Sequence, residues 1–336
     1  MKALILTGGL GTRLRPLTLT TLKPLLPIAN IPFLHYPISL LRKAGAREVV
    51  LCASNSSLPY RAFISAQKKL GTKLICSRER KVLGTGGAIK NAERYLDSSS
   101  FFAMNGDSLT NLDFKAILKF HKSKMAAVTL ALIPVEDPSQ YGLVMTGQKG
   151  EVHRFIEKPT DLDLHAKQKF LINAGIYIFE REVLSLIPEE RAYSVERDLF
   201  PKLLQKGWPV FGYSADPSVY WMDIGTSEKF LQANADVVSK KVSGVVPDSW
   251  ITKIGKNSRV DRSVRLGRDV TVGSRCAIGK NSILNHSVLL NNVRVGADVT
   301  IENCVIGNHC KIGDHSKILN TRILGDRSII TPYSRL

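Results

Sequence analysis

At 336 residues the chain exceeds a typical single domain of roughly 100–200 residues, and its 44% hydrophobic content is enough to bury a sizeable core, which excludes wholesale disorder. It carries 47 Lys+Arg against 29 Asp+Glu, a net charge of +18, spread along its length: 32 against 22 over residues 1–240 and 15 against 7 over 241–336. Such an excess draws in anionic substrates and unspecific polyanions alike, but no dense Lys/Arg run or aromatic-interleaved patch marks a specific nucleic-acid site.

No apolar run approaches the roughly 18 residues of a spanning helix, and Lys2 to Leu6 starts a strand with no cleavable leader before it, so no membrane partner and a cytoplasmic address are expected. The five cysteines (Cys52, Cys76, Cys276, Cys304, Cys310) form no CxxC pair and are odd in number. They read as reduced, buried thiols, with neither a zinc site nor a disulfide framework.

In chain order, strands are predicted at Lys2–Leu6, Glu48–Cys52, Lys73–Cys76, Phe101–Asn105 and Ala127–Ile133. Helices are predicted at Pro37–Ala44, Gly86–Tyr95 and Asp113–Ser123, the last capped by Asp113. Short apolar strands alternating with amphipathic helices up to about residue 235 specify an α/β domain with a mostly parallel sheet. Ligands of such a sheet sit beyond the carboxyl ends of its strands, so the loops that follow strands are where chemistry is sought.

The first strand runs into Thr7-Gly8-Gly9-Leu10-Gly11-Thr12-Arg13, and Lys23-Pro24 follows ten residues after Arg13. Three glycines in four positions let backbone N–H groups approach phosphate oxygens, and Arg13 and Lys23 add full charges. This is a triphosphate cradle, and it matches neither the P-loop nor the dinucleotide fingerprint. Asp107 directly follows the strand Phe101–Met104, where a carboxylate suits Mg²⁺ shared with substrate phosphates. Lys158 precedes Pro159, which biases it to an extended backbone outside any helix.

After Pro247 an aliphatic residue returns every sixth position, from Ile254 through Val260, Leu266, Val272 and Ile278 to Leu284. The register slips by one to resume at Leu289 and again at Ile306. Glycine often follows the aliphatic, as at Gly255, Gly267, Gly273 and Gly279, and is expected to serve tight corners. Cys276, Cys304 and Cys310 fall at small inward positions, while His286, His309 and His315 lack metal-ligand spacing. Residues 251–330 thus resemble the hexapeptide repeats of left-handed parallel β-helices.

Further strings are Leu83-Gly84-Thr85-Gly86-Gly87-Ala88, Asn105-Gly106-Asp107, Tyr141-Gly142, Phe155-Ile156-Glu157-Lys158-Pro159, Asn173-Ala174-Gly175 and Tyr220-Trp221-Met222-Asp223-Ile224-Gly225. With the cradle they make most of residues 1–235 resemble the sugar-1-phosphate nucleotidylyltransferases. Within that family the pattern looks most like the mannose-1-phosphate guanylyltransferases (GDP-mannose pyrophosphorylases), which also carry a C-terminal β-helix.

The resemblance implies a Rossmann-like nucleotidyltransferase domain over residues 1–240 and a left-handed β-helix over 241–336. It implies a nucleoside triphosphate held by Leu6, Gly8, Gly9, Gly11, Thr12, Arg13, Lys23, Glu79, Gly84 and Asp107. A sugar 1-phosphate would be held by Gly142, Glu157, Lys158 and Asn173, and Mg²⁺ by Asp107 and Asp223, with Arg13, Lys23 and Lys158 as the catalytic cations.

Glu79 stands at the family's base-reading position. A carboxylate only accepts hydrogen bonds and guanine offers two adjacent donors, so Glu79 points to GTP, whereas uracil or thymine suits an amide better. Ser108 and Gly87 depart from the guanylyltransferase pattern, which leaves glucose-1-phosphate thymidylyl or uridylyl transfer as the alternative. A non-catalytic regulatory homologue is the second alternative, although such relatives tend to lose cradle or metal residues and none is lost here. A third, acyl transfer on the β-helix, lacks an insertion to build its site. Flat β-helix faces make a homo-oligomer the expected assembly.

Overall fold

The computed structural model describes residues 1–54, 58–67, 71–97, 99–159, 169–320 and 323–336. Its main sheet has nine strands: β1 (Lys2–Leu6), β2 (Glu48–Ser54), β3 (Lys73–Glu79), β4 (Ser100–Asn105), β5 (Val128–Val135), β6 (Gly142–Thr146), β7 (Val152–Glu157), β8 (Phe170–Glu180) and β9 (Val210–Ser214). Helices are α1 (His35–Lys43), α2 (Leu58–Gln67), α3 (Gly84–Asn91), α4 (Phe114–Ser123), α5 (Phe200–Gln205) and α6 (Ser227–Val238). All five strands predicted from the sequence are present. The helix predicted over Gly86–Tyr95 is two pieces, α3 and a 3₁₀ turn at Glu93–Tyr95. Asp113 caps α4 as expected, accepting from the N–H groups of Lys115 and Ala116.

The strand order is β7-β6-β8-β4-β1-β2-β3, with β5 on β8 and β9 on β5. β4, β1, β2 and β3 form a parallel core. Their apolar runs, such as Ala3-Leu4-Ile5 and Phe101-Phe102-Ala103-Met104, are buried on both faces, as parallel strands covered by helices must be. The long strand β8 pairs antiparallel with β4 and β5. Its register against β5 shifts between Asn173 and Tyr177, so the Asn173-Ala174-Gly175 string is a bulge that re-aims its side chains.

The chain packs as two compact units. One comprises Met1–Gly9, Pro37–Ser108 and Leu112–Trp221, and the other Leu10–Tyr36, Leu109–Asn111 and Met222–Leu336. The glycine loop therefore crosses from the first unit to the second between Gly9 and Leu10. Among the described residues no helix is long and apolar enough to cross a membrane.

In the second unit three parallel sheets of two- and three-residue strands stack along residues 259–330, consistent with the left-handed β-helix. Successive coils are eighteen residues apart at Val260↔Ile278 and seventeen at Ile278↔Val295. The two slips in the repeat lie one coil apart, at His286 and Asn303, and so stack on one corner: the Asn303 N–H donates to the Asn285 carbonyl at 3.2 Å. Cys276, Cys304 and Cys310 are buried in the coil interior, as expected.

The glycines after the aliphatics do not serve the corners. None has positive φ, and the left-handed positions are taken by Asn257, Arg275, Asn281, Asn292, Asp298, His309 and their equivalents. What demands glycine is the coil above: a Cβ on Gly273 would come within 2.5 Å of the Leu290 carbonyl carbon, and one on Gly279 within 2.5 Å of the Gly296 oxygen.

Segment Leu10–Tyr36 is fastened in this unit by asparagines. Buried Asn234 on α6 accepts from the Ala29 N–H (2.8 Å) and the Thr271 hydroxyl (3.4 Å), and donates to the Phe230 carbonyl at 2.8 Å. The Asn30 amide donates to the carbonyls of Thr252 (2.9 Å) and Val272 (3.0 Å). Asn234→Ala orphans the buried Ala29 N–H, so thermal or denaturant unfolding of the variant is expected to show a loss of about 1–3 kcal/mol.

Candidate active site

In the first unit, the loop leaving β1 is tied down before its glycines begin. Thr7 donates to the Cys52 carbonyl through its N–H (3.0 Å) and its hydroxyl (2.6 Å). Gly8 is half-buried, and nothing lies within 4 Å of a Cβ built on exposed Gly9, which leaves room for a phosphate against its backbone. The Gly106 N–H donates to the Leu6 carbonyl at 2.9 Å, so Asp107 emerges beside the end of β1, as the sequence predicts. A Cβ on Gly106 would meet that same oxygen at 2.7 Å.

Glu79 ends β3 and is 5% exposed, which is not how a surface glutamate among Arg78, Arg80 and Lys81 would sit. Its Oε2 accepts from the Leu83 N–H at 3.4 Å, and burial pushes its carboxyl above the usual range. Gly84 opens α3 with φ of 70°. The N–H groups of Gly86 and Gly87 both donate to the Tyr193 carbonyl, at 2.9 and 3.1 Å, so these two glycines serve chain packing rather than phosphate.

Glu157 and Gly142 are register partners on β7 and β6, and a Cβ on Gly142 would come within 3.0 Å of Glu157 Oε2. Lys158 is exposed but not extended. Its φ is 49°, and its N–H donates to the Tyr141 carbonyl at 3.0 Å. Continuation of the β6–β7 pairing beyond Gly142 and Glu157 overrides the bias that Pro159 imposes.

On the bulge of β8, Asn173 accepts from the Gly175 N–H (3.0 Å) and donates to the Tyr177 hydroxyl (2.7 Å), which donates to Glu196 Oε1 at 3.1 Å. Glu196 Oε2 accepts from the hydroxyls of Thr85 (2.8 Å) and Ser194 (2.9 Å). Burial, then the charge of Glu196, raises the Glu157 carboxyl, with Lys158 and Arg197 offsetting part of the rise. Sequence reading missed Glu196. It follows Ser194, whose side chain caps the turn Val195–Leu199, and looked like an ordinary acidic residue of a first helical turn.

In the second unit, Gly11 has φ of 60° and a Cβ there would crowd Thr18 Cγ2 (3.0 Å) and Lys23 Cβ (3.2 Å). Thr18 Oγ1 donates to the Gly11 carbonyl at 2.8 Å. This turn draws Thr12, Arg13 and Lys23 together. The Arg13 guanidinium lies on Gly225, within 2.7 Å of where a Cβ would stand. Asp223 ends the strand Trp221–Asp223, which pairs with Ser108–Thr110, and its carboxylate is ion-paired with Lys229.

Arg13, Lys23 and Asp223 thus share one unit, and Glu79, Asp107, Gly142, Glu157, Lys158 and Asn173 the other. Among the described residues no group of three or more His, Cys, Asp or Glu side chains converges as a metal cage. Asp107 and Asp223 each offer hard carboxylate oxygens, the donor type that a dication such as Mg²⁺ takes together with phosphate and water.

Gly175 has φ of 70°, and a Cβ there would come within 2.8 Å of Asn105 Cγ. Gly175→Ala adds left-handed strain of about 1–2 kcal/mol and turns Asn105, two residues from Asp107. Melting and steady-state kinetics of the variant are expected to show a lower midpoint together with a lower kcat.

The nucleotidyl transferase family model matches residues 2–240, and the GMPPB C-terminal domain model matches residues 251–333. The chain is 42% identical over 237 residues to a mannose-1-phosphate guanylyltransferase of Mycobacterium tuberculosis, covering 70% of this chain and 64% of that one. It is 36% identical over 269 residues to a mannose-1-phosphate guanyltransferase of Yarrowia lipolytica, covering 78% and 72%. The crystal structure of HddC from Yersinia pseudotuberculosis complexed with GMP-PN is similar at a TM-score of 0.58 and 28% identity, over 70% of this chain and 99% of that one. The chain spans just under two thirds of the length of the Mycobacterium relative.

Proposed function

The chain belongs to the nucleotidyl transferase family, and on that premise we propose that it transfers a guanylyl group from GTP to mannose 1-phosphate, releasing pyrophosphate. A phosphate oxygen of the sugar 1-phosphate attacks the α-phosphorus of the triphosphate in line, and the bond to the β-phosphate oxygen breaks. The attacking group is a monoester with a second pKa near ~6, largely dianionic at neutral pH, so no base is required. The protein supplies alignment and neutralisation.

Leu6, Gly8, Gly9, Gly11, Thr12 and Gly84 hold the nucleotide, and Arg13 and Lys23 neutralise the leaving pyrophosphate. Glu157, Asn173 and Gly142 orient the sugar, and Lys158 steers its phosphate. The reaction gathers two highly charged anions, which suits a divalent metal. We take it to be Mg²⁺ on Asp107 and Asp223, where it would offset the charge gathered on two anions. Residues 1–240 carry this chemistry and 241–336 the β-helix. The five cysteines form no disulfide, which suits the reducing cytoplasm we propose for the chain.

The single observation that carries the choice of base is buried Glu79, an acceptor pair set where the family reads the base. The guanylyltransferase relatives and the GMP-PN bound to HddC favour the same base. Pyrophosphate release across four NTPs and several sugar 1-phosphates tests the reading, with GTP and mannose 1-phosphate expected to be the best pair. A better rate with UTP or dTTP and glucose 1-phosphate would replace it.

Glu79→Gln is expected to lower kcat/KM for GTP at least tenfold and to narrow its margin over UTP. Because burial raises the Glu79 carboxyl, guanine recognition should weaken as pH falls, starting above the range where ordinary carboxylates protonate. The Gln variant, which has no proton to take up there, should lose that acid limb.

The β-helix presents flat exposed faces, and we read it as the surface of self-association. Light scattering of the full chain is expected to give a multiple of the 37.1 kDa monomer mass, and a monomer would contradict this.

A further inference from the structure

Lys229 lies outside the residues that the sequence singles out, yet its ammonium is the partner of the Asp223 carboxylate. Both side chains are mostly shielded from water, at 32% and 22% exposure, so the pair is not a fully screened surface contact. Helix stability does not explain a lysine at this place. Thr226 caps α6, its Oγ1 accepting from the Lys229 N–H at 3.4 Å, which puts Lys229 in the first turn. There the helix dipole favours acids and disfavours cations. Arg13 lies on Gly225, two residues along the chain from Asp223.

We propose that Lys229 is the resident counter-ion of Asp223, and that a divalent cation gains this carboxylate by exchange with the lysine ammonium. The proposal rests on the reading of Asp223 as a metal ligand. The ammonium takes Asp223 Oδ1, and a dication that binds through that oxygen, alone or with Oδ2, must displace it, because the two cations repel strongly at one atom. Free metal then competes poorly for Asp223. Metal arriving with an anionic triphosphate competes well, because the phosphates neutralise the displaced ammonium and the incoming charge together. Lys229 is therefore a positioning residue. It holds Asp223 in place before substrate arrives and makes metal occupancy depend on nucleotide.

The test uses the full chain, Mn²⁺ as the probe and electron paramagnetic resonance to count free ion, without nucleotide. Lys229→Gln is expected to bind Mn²⁺ about tenfold tighter than the parent, and Lys229→Arg to stay within about twofold, since it restores the charge. Equal or weaker binding by Lys229→Gln overturns the exchange. Asp223→Asn is the companion variant. If it leaves Mn²⁺ binding unchanged, Asp223 is not a ligand and the reading of the site fails. If it loses Mn²⁺ while Lys229→Gln changes nothing, the exchange alone fails.

A second measurement needs no variant. The rate at which Lys229 of the parent protein is acetylated, followed by peptide mass spectrometry, should rise several-fold when Mn²⁺ saturates the site, because an ion-paired ammonium is released. An unchanged or slower rate overturns the proposal.

Discussion

A loop that cradles phosphate must leave its N–H groups unspent, so it cannot hold itself in place. Here its two ends are held by different partners. Thr7 spends its N–H and hydroxyl on Cys52, and Gly106 ties the neighbouring strand end to Leu6. Beyond the glycines, Thr18 holds the Gly11 carbonyl, and the segment that follows is pinned by Asn30 to Thr252 and Val272 and by Asn234 to Ala29. A β-helix is a stiff ladder of short strands in which each coil fixes the next. Its role in this chain includes holding the segment that carries Arg13 and Lys23.

The parts of this arrangement that show in the sequence are those written in short strings or in a period. The apolar runs of β1, β2 and β4 could be read directly because both faces are buried and no alternation hides them. The six-residue period showed the β-helix, down to the two slips that stack at His286 and Asn303. The roles of the repeat glycines were not visible, because a glycine needed for φ and one needed for clearance look alike in sequence. Gly273 and Gly279 are of the second kind, and the left-handed corners went to asparagine and other polar residues, which tolerate that backbone better than most.

Within the site, residues carried by strings were legible and residues carried by packing were not. Asp107 emerges where Asn105-Gly106-Asp107 placed it, beside the end of β1. Lys158 was assigned the wrong backbone because the local rule for residues before proline knows nothing of the bond to Tyr141. Glu196 and Lys229 each sit in the first turn behind a Ser or Thr cap, a pattern that ordinarily means nothing beyond capping. Only the third dimension joins Glu196 to Tyr177 and Lys229 to Asp223.

Charge explains why these two hidden residues matter. The chain as a whole is strongly cationic, yet its candidate sugar site sets Glu157 against the charge of Glu196, and burial raises the Glu157 carboxyl further. Like charges in one partly dry place are destabilising unless something donates to them. Tyr177, Thr85 and Ser194 donate to Glu196, and the hydroxyls of a sugar are the natural donors to Glu157. In the other unit Lys229 is ion-paired with Asp223, and the Arg13 guanidinium lies on Gly225. On the proposed reading, a hydroxyl-rich anion and a polyphosphate are the ligands that meet the carboxylates of the first unit and the cations of the second.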